Sequence, residues 1–131
     1  MILDKLIEFC GRPENAQAFR VNELEHYICY YFTNGLWAQV HKDGEINGVA
    51  FARMVETIED RSFYWLPNQK EGRYLVIDSV VARGAESKKS LWKSLIYVIE
   101  HKRPKRIFIM RHGKWKELTK DILRRMKWER E

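Results

Sequence analysis

The stretch Tyr74-Leu75-Val76-Ile77-Asp78-Ser79-Val80-Val81-Ala82-Arg83-Gly84-Ala85-Glu86-Ser87-Lys88-Lys89-Ser90-Leu91 decides the fold. Residues 74–81 form the most strand-like run in the chain, apolar on both faces as a central strand is. Leu91, Trp92, Leu95, Val98 and Ile99 then mark an amphipathic helix that ends before Pro104. Arg106-Ile107-Phe108-Ile109-Met110 reads as a second buried strand. A strand–helix–strand unit over 73–110 implies a parallel pair joined by a right-handed crossover.

Upstream, Ile2, Leu3, Leu6, Ile7 and Phe9 recur near helical spacing, and Gly11-Arg12-Pro13 stops that helix. Asn15 is placed to cap a second helix carrying Ala18, Phe19, Val21, Leu24, Ile28 and Tyr31, with Asn34-Gly35 as its stop. The period then changes. Leu36 to His41 alternates, Asp43-Gly44 makes a tight turn and Ile46 to Val55 continues as a strand, which together predict a hairpin. Phe63-Tyr64-Trp65 suggests a further strand, or the lining of an acceptor pocket, before the turn at Pro67-Asn68. Downstream, Trp115, Leu118, Ile122 and Met126 predict a last helix, with a short final strand at Lys127-Trp128-Glu129-Arg130. The expected architecture is a single α/β domain over 1–131, a mixed sheet with helices on both faces.

Bulk properties narrow the functional classes. The chain has 131 residues, 45% apolar and 32% charged, enough for one sizeable core and unlike a disordered segment. No apolar run approaches the roughly 18 to 20 residues of a membrane span, and no membrane role is expected. Met1-Ile2-Leu3-Asp4-Lys5 does not read as a signal peptide. Cys10 and Cys29 sit among apolar neighbours and read as buried free thiols, so a cytoplasmic setting is expected. The net charge of +6 is unevenly spread. Residues 1–82 hold 8 Lys and Arg against 12 Asp and Glu, whereas residues 83–131 hold 16 against 6. A basic C-terminal third suits phosphates of a nucleotide cofactor, a nucleic acid or an acidic partner, and equally suits a solvated face.

The element order and the segment from Val80 to Leu91 resemble the GNAT (Gcn5-related N-acetyltransferase) family. In that family a central strand runs into a loop of pattern Gln/Arg-x-x-Gly-x-Gly/Ala and then a helix. Here Arg83 takes the first position and Leu91 that of the helix leucine, while the two glycine positions hold Glu86 and Lys88. The resemblance implies a GNAT-like sheet and an acyl-CoA-dependent N-acyltransferase, with acetyl-CoA as cofactor and an amine as acceptor. It implies that Val80, Val81, Arg83, Gly84, Ala85, Ser87, Lys88 and Lys89 hold the coenzyme, the pyrophosphate resting on loop amides and the helix N-terminus. Gly84 would supply the freedom of a shifted loop. Many members carry a tyrosine before a Gly-Phe pair on the last helix as general acid; here those positions hold Leu123, Lys127 and Trp128.

Two residues stand as candidate catalysts. Asp78 interrupts an apolar strand, where burial raises a carboxylate towards the range of a useful base; the alternative is a structural acid paired with an arginine. His112 follows strand 106–110, at the carboxyl end where ligands of α/β sheets bind, as a base, a phosphate contact or a solvated loop histidine. No His, Cys, Asp or Glu spacing suggests a metal. Lys114, Lys116, Lys120, Arg124, Arg125 and Lys127 give the last helix a basic face that could meet nucleic acid or an acidic protein. Three functions therefore stay open: an N-acyltransferase, a catalytically inactive binding or structural protein of the same fold such as phages encode, and a non-specific nucleic-acid binder.

Overall fold

A computed structural model describes residues 2–19, 23–59, 72–111 and 114–130. It contains α1 (Ile2–Cys10), α2 (Leu24–Asn34), β1 (Leu36–Lys42), β2 (Glu45–Val55), β3 (Tyr74–Ala82), α3 (Ala85–Lys102), β4 (Arg106–Arg111), β5 (Lys114–Glu117) and α4 (Lys120–Arg130). The strands form one mixed sheet in the order β1-β2-β3-β4-β5. All neighbours pair antiparallel except β3 and β4, which run parallel across the α3 connection.

Hydrophobic pattern explains the layering. Ala50, Ala52 and Met54 of β2, Leu75 and Ile77 of β3, and Ile107 and Ile109 of β4 meet Leu91, Trp92 and Leu95 of α3, with Ile122 and Leu123 of α4 at the margin. Val49 and Phe51 on the opposite face meet Leu6, Phe9 and Cys10 of α1 and Tyr27, Ile28 and Tyr31 of α2. Phe51 is fully buried, ringed by Phe19, Tyr27 and Tyr31 at centroid distances of 6.2, 5.9 and 5.3 Å. The sheet is thus covered on both sides, and the expected helix–sheet–helix arrangement holds.

Several local expectations hold and others need correction. The β1–β2 turn places Asp43 and Gly44 at φ of 54° and 80°, the left-handed pair that a tight hairpin requires. Asn15 does not cap a long second helix. A short 3-10 segment, Pro13–Ala18, follows α1, and α2 starts separately at Leu24. Asn15 is buried instead, its Nδ2 donating to the Phe9 carbonyl at 2.7 Å, which ties the end of α1. Trp115 does not start the last helix: Lys114–Glu117 pairs antiparallel with β4, Met110 opposite Trp115 and Phe108 opposite Glu117. The reason is visible in Lys-Trp-Lys-Glu, whose alternation between exposed and half-buried positions is that of an edge strand, reinforced by Arg106 donating to Glu117 at 2.9 Å. Residues 127–130 continue α4 and form no strand. Phe63-Tyr64-Trp65 lies outside the described residues.

Phe51→Ala is expected to cost about 3–5 kcal/mol, because it empties the centre of the α1–α2 layer. Urea unfolding at neutral pH reads this as a lower midpoint at unchanged slope.

Candidate functional site at the parting of two strands

The geometry of the site begins with a count of residues. Phe51 pairs with Ser79 and Ala52 with Ile77, so Asp78 is the extra residue of a β-bulge in β3. Such a bulge turns two successive side chains to one side. Asp78 and Ser79 accordingly both reach α2, while Ile77 and Val80 pack on the α3 side. A bulge also bends its strand and increases the local twist. β3 and β4 pair from Tyr74–Arg106 to Ile77–Ile109, and the ladder stops at the bulge. Beyond it, Met110 and Arg111 pair with β5, and residues 78–82 have no ladder partner on the β4 side among the described residues.

Asp78 sits at that parting, its side chain 9% exposed. Its Oδ2 accepts from Arg53 Nε at 3.1 Å and from the Tyr31 hydroxyl. Oδ1 accepts no hydrogen bond among the described residues. Burial raises the Asp78 pKa above the ordinary value of 3.8, opposed by the Arg53 charge and by hydrogen bonds from Tyr31 and Arg53. Burial, then the Asp78 charge, raises Tyr31 well above an ordinary phenol. Beside them, the Tyr27 hydroxyl and Ser79 Oγ lie 2.7 Å apart, and the buried Tyr30 hydroxyl has no partner among the described residues. Arg53 is fully buried. The expectation that Asp78 is buried with a raised pKa therefore holds, and so does the alternative that it is tied to an arginine. Tyr31 and Arg53 were not foreseen, since each looks like an ordinary member of its own element.

The loop expected to hold pyrophosphate leaves the carboxyl end of β3. Gly84 has φ of 87° and ψ of 157° directly before α3, a conformation reserved for glycine, and a Cβ there would meet nothing within 4 Å. Backbone freedom, not space, therefore fixes this residue. No side chain caps the helix, and the first bond back to the loop is Lys88 N to Gly84 O at 3.1 Å. The preceding amides of the first turn have no intrahelical partner. Arg83, Gly84, Ala85, Glu86, Lys88 and Lys89 are exposed, and Val80 and Val81 are half-buried on opposite faces.

Ser87 differs from these: it is buried, and its Oγ accepts from Asn47 Nδ2 at 2.6 Å. Asn47 Nδ2 also donates to the Arg83 carbonyl at 2.7 Å, while Arg83 N donates to the Asn47 carbonyl at 2.8 Å. Asn47, on β2, thus clamps the loop from outside it. Nothing in the sequence marks Asn47, because its partners lie 36 and 40 residues away.

The structure brings the loop residues 83–89 together at one end of β3 and sets Asp78 roughly 17 Å back along the strand, judged from strand rise. His112 lies outside the described residues. Leu123 is half-buried against the α3-side core. Cys10 is buried and Cys29 half-buried, both as free thiols, and burial pushes the Cys10 thiol up to about 12. Among the described residues no group of three His, Cys, Asp or Glu could hold a metal, and no helix is long and apolar enough to cross a membrane.

Arg53→Met is expected to destabilise the protein by about 3 kcal/mol near neutral pH, since it leaves the Asp78 carboxylate buried without its counter-charge. Its removal pushes the folded-state pKa of Asp78 further above 3.8. The folded state then binds a proton that the unfolded state has released. Stability is retained below the unfolded value and is lost as pH rises through the folded one. Denaturation midpoints across pH 4 to 8 (about the span in which carboxylates titrate) should show this slope in Arg53→Met, and adding Asp78→Asn should abolish it.

Comparison with protein-family models, with curated proteins and with solved structures finds no match to this chain.

Proposed function

We propose that this chain binds an acyl-coenzyme A and transfers the acyl group to an amine, in the manner of the GNAT acyltransferases it resembles. The observation that carries the reading is the parting of β3 from β4 at the Asp78 bulge, which leaves residues 78–82 without a ladder partner on the β4 side among the described residues. An extended arm rich in amides, such as the pantetheine of coenzyme A, is the kind of ligand that completes an open strand edge. The same strand leads into the Gly84 loop, where unpaired helix amides with Arg83, Lys88 and Lys89 suit a pyrophosphate.

In this reading the chain's residues divide the work. Asn47 holds the loop open through Arg83 and Ser87. Tyr31 and Arg53 anchor Asp78 by Oδ2, so Oδ1 is the oxygen left to take a proton from the acceptor amine. The amine nitrogen then attacks the thioester carbonyl, a carbon–nitrogen bond forms, the carbon–sulfur bond breaks and the leaving thiolate takes a proton from solvent. Leu123 supplies none. That residue, with Glu86 exposed at the loop, favours a second reading in which the fold binds a ligand or partner without turning it over.

Calorimetric titration with acetyl-CoA separates the two. The expected result is a dissociation constant on the order of micromolar, weakened roughly tenfold by Lys88→Glu. Asp78→Asn should then keep the coenzyme and lose turnover. No heat at millimolar acetyl-CoA sinks the acyl-CoA reading and leaves the second.

A further inference from the structure

The outer side of α3 carries a row that starts at Lys89 and runs beyond the site just described. Lys89, Lys93, Tyr97 and His101 follow one another at four-residue steps, so they form a single ridge along the helix surface. All four are exposed. Tyr97 is 70% exposed, and only it and Ile2 are exposed large apolar side chains among the described residues. The Tyr97 and His101 rings lie parallel within 2°, their centroids 6.2 Å apart. The ridge therefore presents two cations followed by two flat rings.

Its neighbourhood is predominantly basic, though Glu100 and Asp121 are also exposed there. α4 packs beside α3 on the same face of the sheet, through Ile122 and Leu123, and exposes Lys120, Arg124 and Arg125. Together α3 and α4 hold nine Lys and Arg against four Asp and Glu. No ion pair among the described residues engages Lys89, Lys93, Lys120, Arg124 or Arg125. On the other face of the sheet the described part of the α1–α2 layer is acidic, with Asp4, Glu8, Glu14, Glu23 and Glu25 exposed. The molecule is polarised across its sheet.

We propose that the α3–α4 face binds single-stranded nucleic acid, with the Tyr97–His101 pair stacking a base and Lys89, Lys93 and the α4 arginines engaging the phosphate backbone. Unpaired cations supply attraction to any polyanion. The exposed rings favour single-stranded nucleic acid among polyanions, since unpaired bases stack on aromatic faces. A membrane surface would call for several exposed apolar side chains on this face, and among the described residues Tyr97 alone is one. An acidic peptide would use the lysines and arginines and leave the rings idle. A duplex would likewise keep its bases stacked away from Tyr97.

Fluorescence anisotropy of a labelled oligothymidine, about 15 nucleotides to exceed one binding site, tests this with the full chain. Binding is expected, with log affinity falling linearly against log salt. Tyr97→Leu should weaken it by roughly tenfold and Tyr97→Phe should not, because the ring and not the hydroxyl does the stacking. Lys89→Glu with Lys93→Glu should weaken it and flatten the salt slope. All these side chains are exposed, so unchanged thermal unfolding checks that the variants remain folded. No binding at low salt overturns the proposal. So does binding that Tyr97→Leu leaves intact, or that polyglutamate or anionic vesicles match, since those outcomes assign the face to an acidic protein or a lipid surface. Tyr97 has no part in the coenzyme site, so Tyr97→Leu should leave acetyl-CoA binding unchanged, which keeps this test independent of the coenzyme reading.

Discussion

One inserted residue in β3 organises the molecule. Without the bulge at Asp78, the alternation of β3 would send residues 78 and 79 to opposite faces, and only one could reach α2. With it, Asp78 meets Arg53 and Tyr31 while Ser79 meets Tyr27, so two polar contacts lock the same helix to the sheet. The parallel ladder with β4 ends at the bulge, which leaves an unpaired stretch of β3 inside the sheet among the described residues. A structural anchor and the end of the β3–β4 ladder therefore meet at one residue.

The anchor is costly in isolation. A fully buried guanidinium and a nearly buried carboxylate lose their hydration, and their attraction offsets this only where geometry and further hydrogen bonds are good. Tyr31 provides such a bond, and it ends on the same carboxylate oxygen that Arg53 uses. A network built only for stability would be expected to satisfy both oxygens. Among the described residues only Oδ2 is held, and Asp78 stays in the proposed chemistry because Oδ1 is the oxygen without a protein partner.

Much of this was legible in the chain itself, and the gaps have physical reasons. The β3–α3–β4 unit announces itself because residues 74–81, apolar but for Asp78 and Ser79, and the apolar run 107–110 are separated by a helical period. The Asp43-Gly44 turn is equally plain, since few residue pairs accept two positive φ values. The segment at 114–118 misled because Trp115 and Leu118 sit three apart, a spacing compatible with a helix, and only the return pairing onto β4 decides for a strand. The Asn15 cap failed for a similar reason: a polar residue before an apolar run is a local signal, and its side chain found the end of α1 first. Within the site, Asp78 stood out as a charge in an apolar strand. Arg53, Tyr31 and Asn47 did not, because their importance lies in partners 25 to 47 residues away.

The polarity across the sheet links the two proposed ligands. Glu86 in the first turn of α3 is itself well placed against the positive end of the helix, so it competes with an incoming phosphate for the same amides. A loop with that carboxylate would be a poor anion site on a neutral surface. Here it sits beside Lys88 and Lys89 in a helix layer that is basic as a whole, and that field opposes the local repulsion. Lys89 belongs to both the loop and the α3 ridge. Because such a field is screened within about 8–10 Å at ordinary ionic strength, the loop and the ridge should both weaken with salt. Only the ridge carries rings, so only the proposed nucleic-acid binding would keep a salt-resistant part.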